Sequence, residues 1–197
     1  MDRHSEKRVA ILSGAAEVFR TEGYESASMD RIAEVASVSK RTVYNHFGSK
    51  DALFQAVFDH LIEEVVAQKQ IDWNPDDTLE SQLRAFARAK TAVVDDANWL
   101  ALVKVGLGVA IQRPEFARET MEKARRGEDA LVKWLEAADR AGKLRVPNSF
   151  VAAQLFWAMV SGALFWPQIF DAPMSDALRA AAADEVIETF LCRFRTG

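Results

Sequence analysis

The chain has 197 residues, 49% of them hydrophobic, and carries 25 Lys and Arg against 29 Asp and Glu for a net charge of −4. That is enough apolar material for the core of one ordinary domain or two small ones. The single cysteine, Cys192, excludes an internal disulfide framework, and the charged start, Met1 to Arg8, does not read as a signal peptide.

The first helical signal comes from Leu12, Ala15, Ala16 and Phe19, and Gly23 is a good residue just past a helix end. Met29, Ile32, Ala33 and Ala36 then follow the i, i+3, i+4, i+7 rule. Ser28 precedes them as an N-cap, and Asp30 adds negative charge to the first turn. Ala36-Ser37-Val38 breaks the pattern. Ser39 caps a second short helix that ends near Phe47, before Gly48. Val43 and Phe47 share one face of it, four residues apart. Lys40, Arg41, Thr42, Tyr44, Asn45 and His46 fill the remainder with hydrogen-bonding groups. Two short helices joined by a tight turn make a helix-turn-helix, whose second helix lies in the DNA major groove. Ser49 caps a fourth helix carrying Leu53, Val57, Leu61 and Val65.

The net negative charge is unevenly spread. Residues 1–50 hold eight Lys and Arg against seven Asp and Glu, and residues 51–197 hold seventeen against twenty-two. The acidic part is therefore mostly not the DNA-facing part, and an acidic body helps to orient a basic edge toward DNA.

The rest reads as helix after helix. Residues 71–77 form a loop, and Thr78 or Asp77 caps a helix with Leu79, Leu83, Phe86 and Val93 or Val94. Asp95-Asp96 ends it and opens the next, which runs from Ala97 to Gln112. Arg113-Pro114 starts another toward Gly142, weakened or bent at Gly127. Pro147-Asn148-Ser149 introduces a helix from Phe150 to about Trp166, stopped by Pro167, and Pro173 and Ser175 announce a last helix ending near Phe194. The Phe150 helix is apolar nearly all round, so more than one of its sides needs covering. Its most apolar stretch, residues 150–167, contains Gln154 and Ser161 and is short for a membrane span, so no membrane is expected and a cytoplasmic location is. The last helix carries a stripe of Leu178, Ala182, Val186, Phe190 and Phe194. Two such helices can pair with their copies across a two-fold axis. The fold expected is all-α.

In these residues the sequence resembles the TetR/AcrR family of bacterial repressors. The resemblance rests on Ile11-Leu12, Ala15-Ala16, Phe19, Gly23, Met29-Asp30-Arg31-Ile32-Ala33, Val38-Ser39, Thr42-Val43-Tyr44, His46-Phe47, Ser49-Lys50 and Leu53. Ser37 departs from it, because the family often has glycine there; a left-handed backbone would cost serine roughly 1–2 kcal/mol.

The resemblance implies a helix-turn-helix domain over residues 1–50, joined to a larger helical ligand-binding and dimerisation domain over 51–197. It implies that Lys40, Arg41 and Thr42 face the bases, where an arginine bidentate to guanine contributes about 1–3 kcal/mol of discrimination. Asn45 belongs to the same DNA-facing set. Tyr44, His46 and Lys50 match positions that hold phosphates, with Ser28, Arg3, Lys7 and Arg8 as weaker candidates. It implies a homodimer through the last two helices, a palindromic double-stranded operator, and a small apolar or aromatic effector that releases the protein from it. The pocket expected for that effector is touched by Trp99, Val103, Leu107, Trp134, Phe156, Met159 and Val160, with Gln112 or Gln154 as polar anchors. In a competing reading those aromatics are plain core, and the protein is a dimeric DNA-binding regulator without a small ligand.

An enzyme is the reading from another class. Only three histidines exist, His4, His46 and His60, and none has a metal-ligand partner at helical spacing or a nucleophile nearby in sequence. His60 with Glu63 and Glu64 reads as a solvated helix face. No glycine-rich phosphate loop occurs, so no catalytic residue, metal or cofactor is expected.

Overall fold

The computed structural model describes the backbone of residues 3–68, 71–126, 129–170 and 174–196, with side chains at all of these except 3, 65–68, 93 and 126. In chain order the helices are α1 (Arg3–Ser26), α2 (Met29–Val35), α3 (Lys40–Phe47), α4 (Lys50–Gln68), α5 (Leu79–Asp95), α6 (Ala97–Gln112), α7 (Pro114–Arg126), α8 (Asp129–Arg140), α9 (Ser149–Val160), a π-helical segment (Ser161–Phe165), α10 (Trp166–Phe170) and α11 (Asp176–Phe194). Among the described residues the β structure amounts to one isolated bridge, Leu144 to Arg195. The all-α expectation holds.

Side-chain oxygens open these helices as their residue types require. Ser28 Oγ accepts from the Arg31 amide at 3.1 Å, Ser39 Oγ from Thr42 at 3.1 Å, and Thr78 Oγ1 from Ser81 at 3.1 Å. Each is an N-cap bond to an amide in the first turn of its helix. Gly23 sits inside α1 at φ 77°, ψ 167°, a conformation open to glycine, and kinks the helix where the sequence pattern ends it.

The expected stop at Pro167 is corrected by the structure. Helical backbone continues through it to Phe170. Just before the proline the ladder switches to the π pattern, with the Trp166 amide donating to the Ser161 carbonyl five residues back. That register change accommodates a residue with no amide proton to give. The expected bend at Gly127 and the Pro173 start signal lie outside the described residues.

Packing groups the chain into two compact units, Met1–Glu64 with Ala97–Lys123, and Val65–Asp96 with Ala124–Gly197. A division at residue 50 is expected from the sequence; packing instead groups α6 and most of α7 with the helices that come first. In the first unit Ile11, Ala15, Phe19, Ile32, Val43 and Leu53 are fully buried. Phe54 stacks edge-on against Phe19 at 4.8 Å and also meets Phe58 and Phe116. Helix α6 approaches α4 at Gly106, where a Cβ would lie 2.4 Å from the Phe58 ring. No larger residue fits there unless that ring moves.

The second unit has the larger aromatic core. Leu83, Phe86, Leu131, Trp134, Leu135, Phe156, Val160 and Phe190 are almost wholly buried. The Trp134 indole donates to Gln82 Oε1 at 2.8 Å, and Gln82 Nε2 donates to the Asn74 carbonyl at 2.8 Å. A buried carboxamide thus ties the 71–78 loop to the core with its hydrogen bonds met. Helix α9 buries Ala152, Ala153, Phe156, Trp157 and Val160 but leaves Phe150, Val151 and Leu155 exposed, and Trp166 and Phe170 extend that exposed face along α10.

Candidate nucleic-acid interface

Two apolar side chains seat α3. Val43 is fully buried and Phe47 nearly so, one helical turn apart. The helix is short and polar elsewhere, so Lys40, Arg41, Tyr44 and Asn45 are left exposed. Thr42 is half-buried; its hydroxyl lies 2.7 Å from that of Ser39 at the helix start.

The turn ahead of α3 fixes where it points. The Val38 amide donates to Ala33 O and the Ser37 amide to Glu34 O, each at 3.0 Å. This crossed pair is the Schellman closure, whose residue C′ must be left-handed. Ser37 fills that place at φ 54°, the one positive-φ residue other than glycine among those described. The departure noted in the sequence therefore falls on a strained position, and the turn keeps the geometry that a helix-turn-helix needs.

Charges on the surface of α2 and α3 are partly paired within the chain. Lys40 Nζ lies 2.8 Å from Asp30 Oδ1, and hydrogen bonding to that carboxylate holds the ammonium above its ordinary pKa. Arg31 spans Glu22 at 3.0 Å and Glu34 at 2.8 Å, binding α1 to α2. Such exposed pairs contribute little to stability. Of the cations at the start of α3, Lys40 is thus bridged to a carboxylate of α2. Ser28 is exposed, and its hydroxyl oxygen caps α2.

Lys50, expected at a phosphate, is held within the chain. Its ammonium donates to the carbonyls of Tyr24 at 2.8 Å and of Glu25 and Ala27 at 3.1 Å each, and it lies 4.6 Å from the centre of the Tyr24 ring. An ammonium has three protons, and all three are committed to the carbonyl end of α1, which a cation complements. Lys50 is here a clamp between α1 and α4.

Beside it lies a group that sequence reading missed. Tyr24 Oη donates to the Asp51 carboxylate, and Arg113 Nη1 donates both to that carboxylate and, at 2.9 Å, to Tyr24 Oη. The Arg113 guanidinium also covers the Tyr24 ring at 4.6 Å. Burial first, and then the Asp51 carboxylate, push the Tyr24 phenol up to about 12. The Tyr24 hydrogen bond, followed by Arg113, holds Asp51 below its usual value. The cluster fastens the α6–α7 corner to α1 and α4. It also borders a cavity of about 380 Å³ lined by Phe54, Val109 and Phe116. No local pattern announces it, because Arg113 is 62 residues from Asp51 and 89 from Tyr24.

His46 is half-buried near the end of α3, and its ring stacks on that of His4, with centroids 4.3 Å apart and planes 29° from parallel. Arg8 lies over the Phe47 ring at 4.8 Å. The first turns of α1 thus adjoin the last turn of α3.

The residues expected to line an effector pocket fall in both units. Trp134, Phe156 and Val160 are core side chains 0 to 1% exposed, with the Trp134 indole N–H held by Gln82 and its ring flanked by Trp73 and Phe86. Met159 packs against that core and Gln154 is half-buried. Trp99, Val103 and Leu107 form a half-buried stripe at four-residue spacing along α6, and Gln112 is exposed at its end. None of the nine lines the cavity beside Arg113, nor either of two further surface clefts in the second unit.

Known proteins carry the same architecture. Residues 11–57 match the model of bacterial regulatory proteins of the tetR family, and residues 81–196 that of the C-terminal domain of AefR-like transcriptional repressors. The chain is similar to the transcriptional activator FasR of Mycolicibacterium smegmatis, 44% identical over 32% of this chain and 28% of that one. It is 42% identical to the transcriptional repressor AcnR of Corynebacterium jeikeium over 27% of this chain and 28% of that one. The aligned part thus spans little more than a quarter of either relative. Over 78% of this chain it is 26% identical to the transcriptional repressor Rv1474c of Mycobacterium tuberculosis, covering 79% of that protein. A solved TetR family regulator from Pseudomonas syringae pv. tomato superposes with a TM-score of 0.78 at 30% identity, covering 98% of both chains. The flavonoid-responsive regulator FrrA superposes with a TM-score of 0.78 at 25% identity, covering 97% of this chain and 98% of that one. With both halves of the chain matched, one over the helix-turn-helix and one over most of the remainder, the protein belongs to the TetR family of bacterial transcriptional regulators.

Proposed function

We propose that this protein is a ligand-responsive transcriptional repressor that binds a palindromic operator as a homodimer in the cytoplasm and is released by a small apolar or aromatic effector. The observation that carries the DNA-binding part is α3 itself: a helix held by Val43 and Phe47, with Lys40, Arg41, Tyr44 and Asn45 facing outward behind a Schellman turn. In this reading Arg41, with Lys40 and Thr42, meets base edges, while Tyr44 and His46 hold phosphates. Ser28, Lys7 and Arg8 lie at the margins.

The dimer reading is supported by the apolar face left exposed on one copy. Phe150, Val151, Leu155, Trp166 and Phe170 along α9 and α10, with Leu178 on α11, are all exposed. A second copy related by a two-fold axis covers such a face and doubles the number of recognition helices, which a two-fold operator requires. The segment Ser149–Phe170 is long and apolar enough to cross a bilayer. Its other face is core, however, which favours a protein partner over lipid.

The effector reading leans on the half-buried α6 stripe Trp99, Val103 and Leu107, and on the flavonoid response in the name of FrrA. The relatives' names include both an activator and repressors, and repression is the sign we propose. A regulator without a small ligand is the second reading, favoured by the filled positions of Trp134, Phe156 and Val160. Duplex-binding assays on the wild type and on Arg41→Ala and Tyr44→Phe test the first part. Duplex affinity should drop in both variants with melting unchanged, and equal affinity in all three would contradict it. Titration with a flavonoid, followed by tryptophan fluorescence and duplex release, separates the two readings.

A further inference from the structure

The stacked pair of histidines is assigned no part in the relatives' descriptions, and the DNA-binding reading uses only one of the two. We propose that His4 and His46 act together as a single proton-binding element of the DNA-facing edge, taking up one proton when a duplex phosphate docks beside them. This rests on the DNA-binding reading given above.

The geometry comes first. The rings stack with centroids 4.3 Å apart, so a charge on one is felt by the other. The charged groups that bear on His46 are His4, Arg8 and Lys7, all on α1 and all basic. On its own helix, Lys40 and Arg41 occupy the first turn, with Lys40 held by Asp30 of α2. The other charges of α2, Arg31 and Glu34, are paired with each other, and Arg31 also holds Glu22 of α1. At the start of α4, Lys50 is committed to three carbonyls, and Asp51 to Tyr24 and Arg113. The pair therefore sits among cations, and the carboxylates of the neighbouring α2 and α4 are engaged elsewhere. Burial, followed by those cations, holds the His46 imidazole below its ordinary value.

A phosphate reverses that balance. A nearby anion favours the charged form of an imidazole, and at α3 it lies against a ring whose described neighbours include the cations Lys7 and Arg8. The proton comes from solvent, no bond to carbon is made or broken, and the product is an imidazolium hydrogen-bonded to a phosphate oxygen. Binding then draws protons, and duplex affinity falls as pH rises through the window between the free and bound values.

The test uses a duplex of about 30 base pairs of random sequence at fixed low salt, since phosphate contacts need no operator. Anisotropy titrations at pH 6 and pH 8 should give the wild type about fivefold to tenfold tighter binding at pH 6, one proton shifting affinity at most about tenfold per pH unit. His4→Gln and His46→Gln should each shrink that ratio to under about twofold. His60→Gln, which alters a histidine 3.5 Å from Glu64 on α4, should leave the ratio as in the wild type. Calorimetry in two buffers of different ionisation heat should register net proton uptake by the wild type and its loss in His4→Gln. Salt-dependent wild-type binding that is equal at both pH values would overturn the proton link alone. An undiminished ratio in His4→Gln would overturn the role of the pair. Failure to bind any duplex at either pH would remove the DNA-binding reading, and this inference with it.

Discussion

The two compact units use their large side chains in opposite ways. In the first, the helix that matters rests on two apolar residues, Val43 and Phe47, and turns its polar groups outward. In the second, aromatic rings interlock, with Trp134 between Trp73 and Phe86, and Phe156 between Trp157 and Phe190. The contrast shows why one part of the function is easier to read than the other. Polar residues on a short helix have no role in the interior, so their pattern points outward to a partner. Aromatic residues at helical spacing serve a core and a pocket equally well, and here three of those expected to face an effector are filled core.

The sharpest way to probe that contrast is to remove a ring from the second unit. Trp134→Ala should destabilise the protein by about 3–5 kcal/mol, because it opens a cavity and deprives Gln82 Oε1 of the indole donor. Calorimetric melting measures the loss, and duplex affinity of the folded protein should be unchanged. Arg41→Ala should do the reverse, weakening duplex binding about tenfold to a hundredfold with melting unaltered. The interior of the first unit should still obey core rules: Gly106→Ala, with its new Cβ 2.4 Å from the Phe58 ring, should cost about 1–3 kcal/mol in denaturant unfolding.

A smaller effect of opposite sign is expected at the helix-turn-helix turn. Helices α2 and α8 close with the same crossed hydrogen bonds, but Gly142 occupies the left-handed place after α8 and Ser37 the one after α2. Ser37→Gly should therefore stabilise the protein by about 0.5–1 kcal/mol, the relief of left-handed strain less the added freedom of the unfolded chain. The least effect should be in acid. The carboxyl of Asp51 is held below its usual value, so its contribution is present above the unfolded pKa and lost as pH falls through the folded one. Asp51→Asn should remove that portion of the acid dependence, as seen in melting temperatures measured down the pH scale.

How much of this was legible follows from the range of the interactions. Ser28, Ser39 and Thr78 cap helices through contacts three residues away, so local spacing was enough to find them. Ser37 was legible for the same reason, since one backbone angle decides it. Pro167 was misread because a π register shift ahead of it is invisible in side-chain periodicity. Lys50 carries the charge of a phosphate-binding residue, but the carbonyls that take its protons belong to residues 23 to 26 positions earlier. The Gln82–Trp134 and Tyr24–Asp51–Arg113 groups join residues far apart in sequence, and residue type alone did not single them out.

In the proposed function, two copies of the protein offer α3 to one face of a duplex. Selection of bound duplexes from a random pool tests it most directly. An inverted repeat should be enriched whose half-sites are centred about 10 base pairs apart, or a multiple of that. Recovery of no preferred sequence, or of a single asymmetric site, would contradict it.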